Sequence, residues 1–262
     1  MGTAQFIPGI NAAREALIQE HVKIKEVFVR EGKRGPRTGE LIKLATERGI
    51  KVTFVSGRDL DQLMPAVTHQ GIVVSAEGFQ YTSLKELVDK ALQVPGYALL
   101  LASDHITDEG NLGSLVRTGA FFGAQGLVLP KDRSAKMTGT VIKRSAGGWF
   151  TLPVSRVVNL GRALDELDKR GFWIVGASVG GSETIYQFDW NRNVALILGN
   201  EAKGLSRSVE ERCHQLVGIP SVGRMTSLNV SVAAGVILSE IMRQRRVSKG
   251  EAGGSFHREE RR

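Results

Sequence analysis

A glycine-bracketed loop with one carboxylate follows an apolar run in the C-terminal half of the chain. Residues 195–206 read ALILGNEAKGLS, so four residues separate Gly199 from Gly204, which is the glycine spacing of a nucleotide phosphate loop. Leu205 stands where that motif requires lysine, and Glu201 would repel a phosphate. Glu201 therefore indicates a cationic or hydrogen-bond-donating ligand, unless it only caps a glycine-rich turn or pairs with a nearby arginine.

A second segment places amide and guanidinium groups on a predicted helix. It reads ITDEGNLGSLVRTGAFFGA (106–124) and carries Asn111, Gly113 and Arg117. Arg117 follows Gly113 by four residues, so the two lie on one helical face and the guanidinium could reach over the ends of neighbouring strands. Considered alone, an arginine in such a position more often forms a surface salt bridge.

A third segment, IPSVGRMTSLNVSVAAG (219–235), joins the end of a predicted strand to the last helix. Ser227 and Asn229 lie at the predicted start of that helix. Both residue types are common N-caps, which explains them without any catalytic role. Considered singly, none of the three segments decides what the protein does.

The elements that must position these segments follow a repeating pattern. Helical segments separate most of a series of apolar runs, and this alternation predicts an α/β fold with a mostly parallel sheet. The predicted strands of this part are residues 97–103, 126–130, 172–178, 194–199 and 215–220, and the helices between them include 111–124 and 159–171. Because ligands bind beyond the carboxyl ends of such strands, that edge is where a site is expected.

The chain divides into two predicted domains. Residues 1–78 form a small α/β domain with strands at 24–29, 50–55 and 71–76, and residues 79–96 form a linker. Within the linker, Ser83 and Glu86 match a capping box for a helix that begins near Leu84 and stops at residues 94–96, VPG. Residues 97–246 form the second domain, and residues 247–262 form a disordered basic tail.

The last helix is predicted to run from near Ser227 to about Arg245. Its apolar residues extend around much of the cylinder, which is more surface than one core contact requires. The helix is therefore either deeply buried or packed against a second subunit, and the pattern favours a dimer.

The charge balance indicates an anionic partner. The chain has 262 residues and a formal net charge of +8, which favours phosphate backbones or anionic surfaces. The cluster REGKRGPR (30–37) supplies four candidate RNA-binding residues, Arg30, Lys33, Arg34 and Arg37. No aromatic stacking pattern accompanies the basic clusters, so charge alone leaves RNA binding and an ordinary solvated surface equally open.

Other functional classes are disfavoured. No apolar run approaches the roughly 20 residues that span a bilayer, and the N-terminus lacks the pattern of a secretory signal, so we expect a soluble, cytoplasmic protein without membrane partners. The single cysteine, Cys213, excludes an internal disulfide and fits a reducing compartment. The histidines are scattered and the pair Cys213-His214 lacks further ligands, so we expect no metal.

The three segments in combination resemble the SpoU/TrmH ribose methyltransferases of the SPOUT class. NLGSLVRTGAFFGA, LILGNEAKGLS and IPSVGRMTSLNVSVAAG are similar to the first, second and third motifs of that family, over residues 100–245. IPGINAAREAL and THQGIVVSA in the N-terminal domain further resemble the subgroup that modifies a guanosine in large-subunit (23S) ribosomal RNA. The resemblance implies a SPOUT domain with a deep trefoil knot, an RNA-binding N-terminal domain, an obligate homodimer and S-adenosylmethionine as methyl donor.

The resemblance also implies roles for individual residues. Gly199, Ile219 and Leu228 match positions that hold the cofactor in the family. The catalytic positions are Arg117, Asn111, Glu201, Ser227 and Asn229. The family is described with Arg117 as activating group or general base, but a guanidinium is effectively never deprotonated in proteins, so binding of a phosphate and stabilisation of negative charge on the ribose oxygen is the better-founded role.

Three alternatives remain open at this stage. One is a tRNA rather than a ribosomal RNA target. A second is a non-catalytic RNA-binding protein on the same scaffold that acts in ribosome assembly. A third is a nucleotide-binding α/β enzyme, which Leu205 and the absence of a G-x-G-x-x-G loop after a strand disfavour.

Overall fold

Two β-sheets organise the part of the chain that the computed structural model describes, which is residues 5–19, 22–65, 67–248 and 250. The first sheet has four strands in the order β1-β4-β2-β3, and the second has seven in the order β7-β6-β5-β10-β8-β11-β9. In the second sheet every strand pair is parallel, which confirms the predicted α/β fold with a parallel sheet.

The N-terminal sheet mixes parallel and antiparallel pairing. Its strands are β1 (Gln5–Pro8), β2 (Ile24–Arg30), β3 (Lys51–Val55) and β4 (Ile72–Ala76). Its helices are α1 (Ile10–Ile18), α2 (Pro36–Glu47) and α3 (Gly57–Leu63). Strands β2 and β3 are parallel, whereas β4 runs antiparallel to both β1 and β2. The sequence did not predict β1, because four residues are too few to show a strand period.

The segment that we predicted as a linker contains helix α4 (Leu84–Leu92). Ser83 caps it by accepting a hydrogen bond from the Glu86 backbone N–H at 3.2 Å. The reciprocal half of the capping box is missing, because the Glu86 carboxylate instead accepts from Lys90 Nζ at 2.8 Å. The helix packs on the second sheet, where Leu87 is fully buried, so much of this linker belongs to the core of the larger domain.

The larger sheet has helices on both faces. Its strands are β5 (Leu99–Ser103), β6 (Gly126–Pro130), β7 (Val154–Val157), β8 (Trp173–Ala177), β9 (Glu183–Thr184), β10 (Val194–Leu198) and β11 (Gln215–Gly218). Its helices are α5 (Glu109–Phe121), α6 (Gly139–Ser145), α7 (Leu160–Lys169), α8 (Arg207–Glu210) and α9 (Val230–Ser248), with a 3-10 turn at Gly148–Phe150. Strands β5, β6 and β10 are buried along their whole length, as continuous apolar runs predict.

The final helix differs from its predicted bounds. It begins at Val230 rather than near Ser227, because Asn229 supplies the first backbone acceptor, to Ala233 N at 2.9 Å. It continues to Ser248, two residues into the segment that we predicted as a disordered tail. Residues 249 and 251–262 of that tail lie outside the described residues.

The two sheets share one hydrophobic core cluster. Strand β1 lies against α6, and Gln5 Nε2 donates to the Met137 carbonyl at 3.0 Å. A Cβ on Gly139 would come within 2.9 Å of the Phe6 carbonyl oxygen, so a glycine is needed for this approach. The N-terminal domain is thus packed on the helix layer that carries α5 and α6.

No helix within the described ranges is long and apolar enough to cross a membrane.

Candidate functional site

The three polar segments meet at the carboxyl ends of neighbouring parallel strands. Strand β5 leads into residues 104–111, β10 into 199–206 and β11 into 219–229. In the sheet, β5 pairs with β10 and only β8 separates β10 from β11. Parallel strands that end at one edge bring distant loops together, as predicted for an α/β sheet.

A hydrogen-bond chain links one residue from each segment. Asn111 Nδ2 donates to the Glu201 carboxylate, and Asn229 Nδ2 donates to Asn111 Oδ1 at 2.9 Å. Asn111 and Glu201 are 90 residues apart in sequence, and Asn111 and Asn229 are 118 apart. Asn111 is therefore bound from both sides, which fixes the orientation of its amide.

Local structure holds each of these amides in place. Asp108 caps helix α5 by accepting from the Asn111 backbone N–H at 2.7 Å. Asn229 Oδ1 accepts from the Ser231 backbone N–H at 3.0 Å and from its hydroxyl at 2.6 Å. Asn229 therefore both caps helix α9 and joins the network, two roles that the sequence left as alternatives.

The Glu201 loop closes on itself. Asn200 and Gly204 exchange two backbone hydrogen bonds, of 2.9 and 2.8 Å. A Cβ on Gly199 would lie 2.4 Å from the carbonyl of Gly204, so residue 199 must be glycine for the loop to close at all. Gly199, which we expect to hold the cofactor, is therefore also required by the geometry of the loop itself.

A buried carboxylate that was not predicted from the sequence anchors this loop. Asp104 is 2% exposed and accepts from Ser206 N and from His105 Nδ1, both at 2.6 Å. The Asn200 side chain donates to the His105 carbonyl at 3.0 Å, with His105 in a left-handed conformation at φ 60°. The signal for Asp104 was an acidic residue directly after a buried strand, at the edge where the site was expected.

Arg117 does not join this network. It is exposed on α5, and it forms no hydrogen bond or ion pair with any residue of the described chain. Gly113, expected on the same face, is buried against α6, where a Cβ would meet that of Arg144 at 2.4 Å. Within one chain, Glu201 accepts a hydrogen bond from Asn111 and forms no ion pair with Arg117.

The predicted cofactor residues of the third segment flank an exposed loop. Ile219 is partly buried against the core, whereas Leu228 is 48% exposed. Ser227 is also exposed and lies before α9 rather than in its first turn. Between them, Ser221 Oγ donates to the Met225 carbonyl at 2.9 Å.

The basic cluster of the N-terminal domain splits into two pairs. Arg30 and Lys33 line a groove at the carboxyl end of β2, whereas Arg34 and Arg37 are exposed and do not line it. Across the described part of the chain, no group of three or more His, Cys, Asp or Glu side chains is placed to hold a metal ion.

Comparison with known proteins identifies the class. Residues 98–239 match the model of the SpoU rRNA Methylase family, and residues 6–82 match the model described as RNA 2'-O ribose methyltransferase substrate binding. Together with the parallel sheet and the polar site at its edge, these matches define an S-adenosylmethionine-dependent RNA 2′-O-ribose methyltransferase. The chain belongs to the SpoU rRNA methylase family, which confirms the resemblance drawn from the three motifs.

Named relatives span nearly the whole chain. The chain is 40% identical over 249 residues to the 23S rRNA (guanosine-2'-O-)-methyltransferase RlmB of Pseudomonas aeruginosa, covering 94% of this chain and 98% of that protein. It is 39% identical over 241 residues to the protein of the same name from Xanthomonas axonopodis pv. citri, covering 92% and 97%. The crystal structure of the SpoU methyltransferase AviRb from Streptomyces viridochromogenes with the cofactor AdoMet has a TM-score of 0.76 at 25% identity, covering 94% of this chain and 91% of that chain.

Proposed function

We propose that this enzyme methylates the 2′-hydroxyl of a guanosine in 23S ribosomal RNA. The observation that carries the proposal is the hydrogen-bond chain from Glu201 through Asn111 to Asn229, which joins the three motif segments at one edge of the sheet. The relatives named for this reaction span more than nine-tenths of the chain, including the N-terminal domain, which supports the ribosomal target. A cytoplasmic location is part of this proposal, and the relatives named as 23S rRNA methyltransferases support it.

The residues of the site fit S-adenosylmethionine. The 219–229 loop offers apolar side chains to solvent, Leu228 at 48% and Met225 at 76% exposure, and such groups suit an adenine face. The closed Glu201 loop follows β10, which only β8 separates from β11, and it presents a carboxylate rather than a phosphate cradle. Gly199, Ile219 and Leu228 would hold the cofactor, which supplies a methyl group on a positively charged sulfur when bound.

The protein's own side chains must orient the ribose. Asn111 and Asn229 each use one amide N–H within the network and keep a second for the substrate. An oxygen held in line with the methyl group reacts faster because its orientation is established on binding. Ser227, exposed in the adjoining loop, is proposed to bind the ribose hydroxyls.

Arg117 contributes charge rather than a base in this proposal. Its guanidinium stays protonated, so it can bind the phosphate next to the target ribose and stabilise negative charge that develops on the 2′-oxygen. All its donors remain available to RNA within the described chain. The four basic residues of the 30–37 cluster supply further phosphate contacts.

The enzyme is proposed to act as a homodimer without a metal ion. Phe121 on α5 is 81% exposed and Val232 on α9 is 52% exposed, and these two helices pack side by side. Apolar side chains on adjacent helices are typical of a subunit interface. Light scattering should give a molar mass of twice the 28.5 kDa of one chain. Val232→Glu places a charge in the proposed interface, so the mass of this variant should be that of a single chain. A monomeric wild-type protein would contradict this proposal.

Mapping of ribose methylation tests the function directly. Mass spectrometry of 23S rRNA from cells with and without the gene should show the loss of 2′-O-methylation at one guanosine. An unchanged pattern, or label from S-adenosylmethionine on a base, would contradict the proposal. Calorimetry with S-adenosylmethionine separates an enzyme from a pure RNA-binding protein, which should release no heat.

A further inference from the structure

A polar groove lies in the N-terminal domain, apart from the network at the edge of the large sheet. It is bounded by the carboxyl end of β2, the end of α3 and residues 67–71, and it has a volume of about 500 Å³. Pockets of about 300–1,000 Å³ commonly hold small ligands or parts of larger ones. We call it the Arg30 groove, after the residue that ends β2.

Two cations on one wall have no acidic partner. Arg30 and Lys33 form no ion pair with a residue of the described ranges. Asp61, the acid in the groove, binds His69 Nε2 at 2.9 Å instead. His69 Nδ1 accepts from the Gly71 N–H at 3.0 Å, so Nε2 carries the proton and donates to Asp61. The positive charge of the wall is therefore available to an anion.

The remaining lining offers apolar contact and amide donors. Met64 and Val67 are partly buried and form the apolar part of the groove. Gln70 is held at φ 53° and accepts from Ile10 N at 3.2 Å through its side-chain oxygen, which leaves its amide N–H groups for a ligand. A nucleotide could bind the two cations through its phosphate while its base contacts this apolar and amide lining. The groove therefore suits one nucleotide.

The Arg30 groove is tied to the catalytic domain. Lys143 on α6 donates to the Thr68 carbonyl, in the loop that lines the groove, at 2.6 Å. Helix α6 in turn packs closely on α5, which carries Asn111 and Arg117, through the contact of Gly113 with Arg144. A ligand in the groove is thus held at a set position relative to the polar network.

We propose that the Arg30 groove binds one nucleotide of an unpaired segment of the RNA substrate, distinct from the nucleotide that is methylated. The inference rests on the proposed function. The groove is open to solvent, which suits a residue that continues as a strand on both sides. Proteins read RNA mainly at such unpaired nucleotides, because their bases are free to be bound individually.

Two double variants with equal loss of charge test the proposal. Arg30→Ala with Lys33→Ala removes the cations of the groove, and Arg34→Ala with Arg37→Ala removes two from the surface nearby. With an rRNA fragment as substrate, we expect the groove pair to raise KM about tenfold with kcat within about twofold, and the surface pair to raise KM only about twofold. Cross-linking of 4-thiouridine-substituted RNA should label residues 64–71 in the wild type and in the surface-pair variant. The groove-pair variant should show no label at these residues.

The outcomes separate this proposal from the proposed function. Equal increases in KM for both pairs, or cross-links elsewhere on the domain, would overturn the groove and leave the methyl transfer intact. Competition by free GMP as effective as that by RNA would also overturn it, because the site would then bind a free nucleotide. A wild-type protein that cross-links through residues 64–71 but transfers no methyl group would support the groove and refute the proposed function.

Discussion

Asn111 is the residue on which the three segments converge. Its amide nitrogen binds Glu201 and its oxygen binds Asn229, so one side chain sets the position of two loops. Residue type and resemblance to motifs predicted all three as site residues. Their mutual contacts were not predicted, because a hydrogen bond between residues about a hundred positions apart depends on the whole sheet.

A double-mutant cycle measures this coupling. Asn111→Ala and Asn229→Ala should each lower kcat/KM by about 100-fold, and the double variant should lose little more, since either change breaks the same chain. Methyl transfer to an rRNA fragment provides the measurement. Asn11→Ala, an exposed amide on α1, is the control. Additive losses would contradict a shared network.

Arg117 tests the electrostatic role of the exposed guanidinium. Arg117→Ala should abolish methyl transfer while the thermal stability stays within about 0.5 kcal/mol of wild type, because the side chain has no intramolecular partner within the described chain. Arg117→Lys keeps the charge but loses the planar fork, so it should retain a small part of the activity. Full activity of the alanine variant would refute the assigned role.

Cys213 gives a prediction for pH. Burial, followed by the negative charges of Glu210 and Asp104, raises the pKa of the thiol to about 12. The pKa of the thiol in the folded protein lies above its ordinary value of 9.0. The contribution of the protonated thiol to the free energy of unfolding is therefore fully present below pH 9 and is lost as the pH rises toward 12. The native thiol should therefore react with a disulfide reagent at pH 8 far more slowly than the unfolded chain. Equal rates would contradict the burial.

At the scale of elements, the sequence predicted most strands but not the short strands β1, β7 and β9. Strands β7 and β9 have four and two residues, too few for a pattern, and they exist because neighbouring strands pair with them. The sequence did not predict helix α6, which lies in a basic segment. Lys143 and Arg144 are in the last turn of this helix. Tertiary contacts with α5 and β1 stabilise it.

The Gly199 loop provides the test for an element. Gly199→Ala would place a Cβ about 2.4 Å from the Gly204 carbonyl, so the loop must open. We expect a loss of about 1–3 kcal/mol in the free energy of unfolding and weaker binding of S-adenosylmethionine. Gly180→Ala is the matched control, because its Cβ would meet nothing within 4 Å. Equal stability of the two variants, measured by thermal unfolding, would refute the packing requirement.

At the scale of the whole molecule, Arg245 ties the last helix to the sheet. It is 9% exposed and donates to the carbonyls of Tyr97, Ala98, Trp190 and Arg192, at 2.8 to 3.3 Å. Desolvation lowers the pKa of its guanidinium to about 10, which still leaves it charged at neutral pH. Helix α9 is thus buried on one side and carries exposed apolar residues on the other. Burial accounts for part of its apolar surface, and packing against a second subunit stays a prediction.

Replacement of this residue should destabilise the entire domain. Arg245→Met removes the side-chain donor of four carbonyl groups, of which those of Ala98 and Trp190 keep a backbone donor, and should cost about 3 kcal/mol of unfolding free energy. Arg246→Met, at the exposed neighbouring position, should change stability by less than about 0.5 kcal/mol. Denaturant unfolding compares the two. Similar midpoints would show that the buried hydrogen bonds contribute little.

The sequence by itself determined the family, the alternation of strands and helices, and the types of residue at the ends of β5, β10 and β11. Those features are local, since periodicity and short motifs depend on neighbouring residues. The tertiary structure alone decided that Asn111 joins Glu201 to Asn229, that Asp104 anchors the loop, and that Arg117 stands apart. It also divided the basic cluster into a groove and a surface pair. Contacts between residues far apart in sequence required the tertiary structure, because only the packing of the complete chain sets them. The knot, the domain boundaries and the residue roles stay predictions.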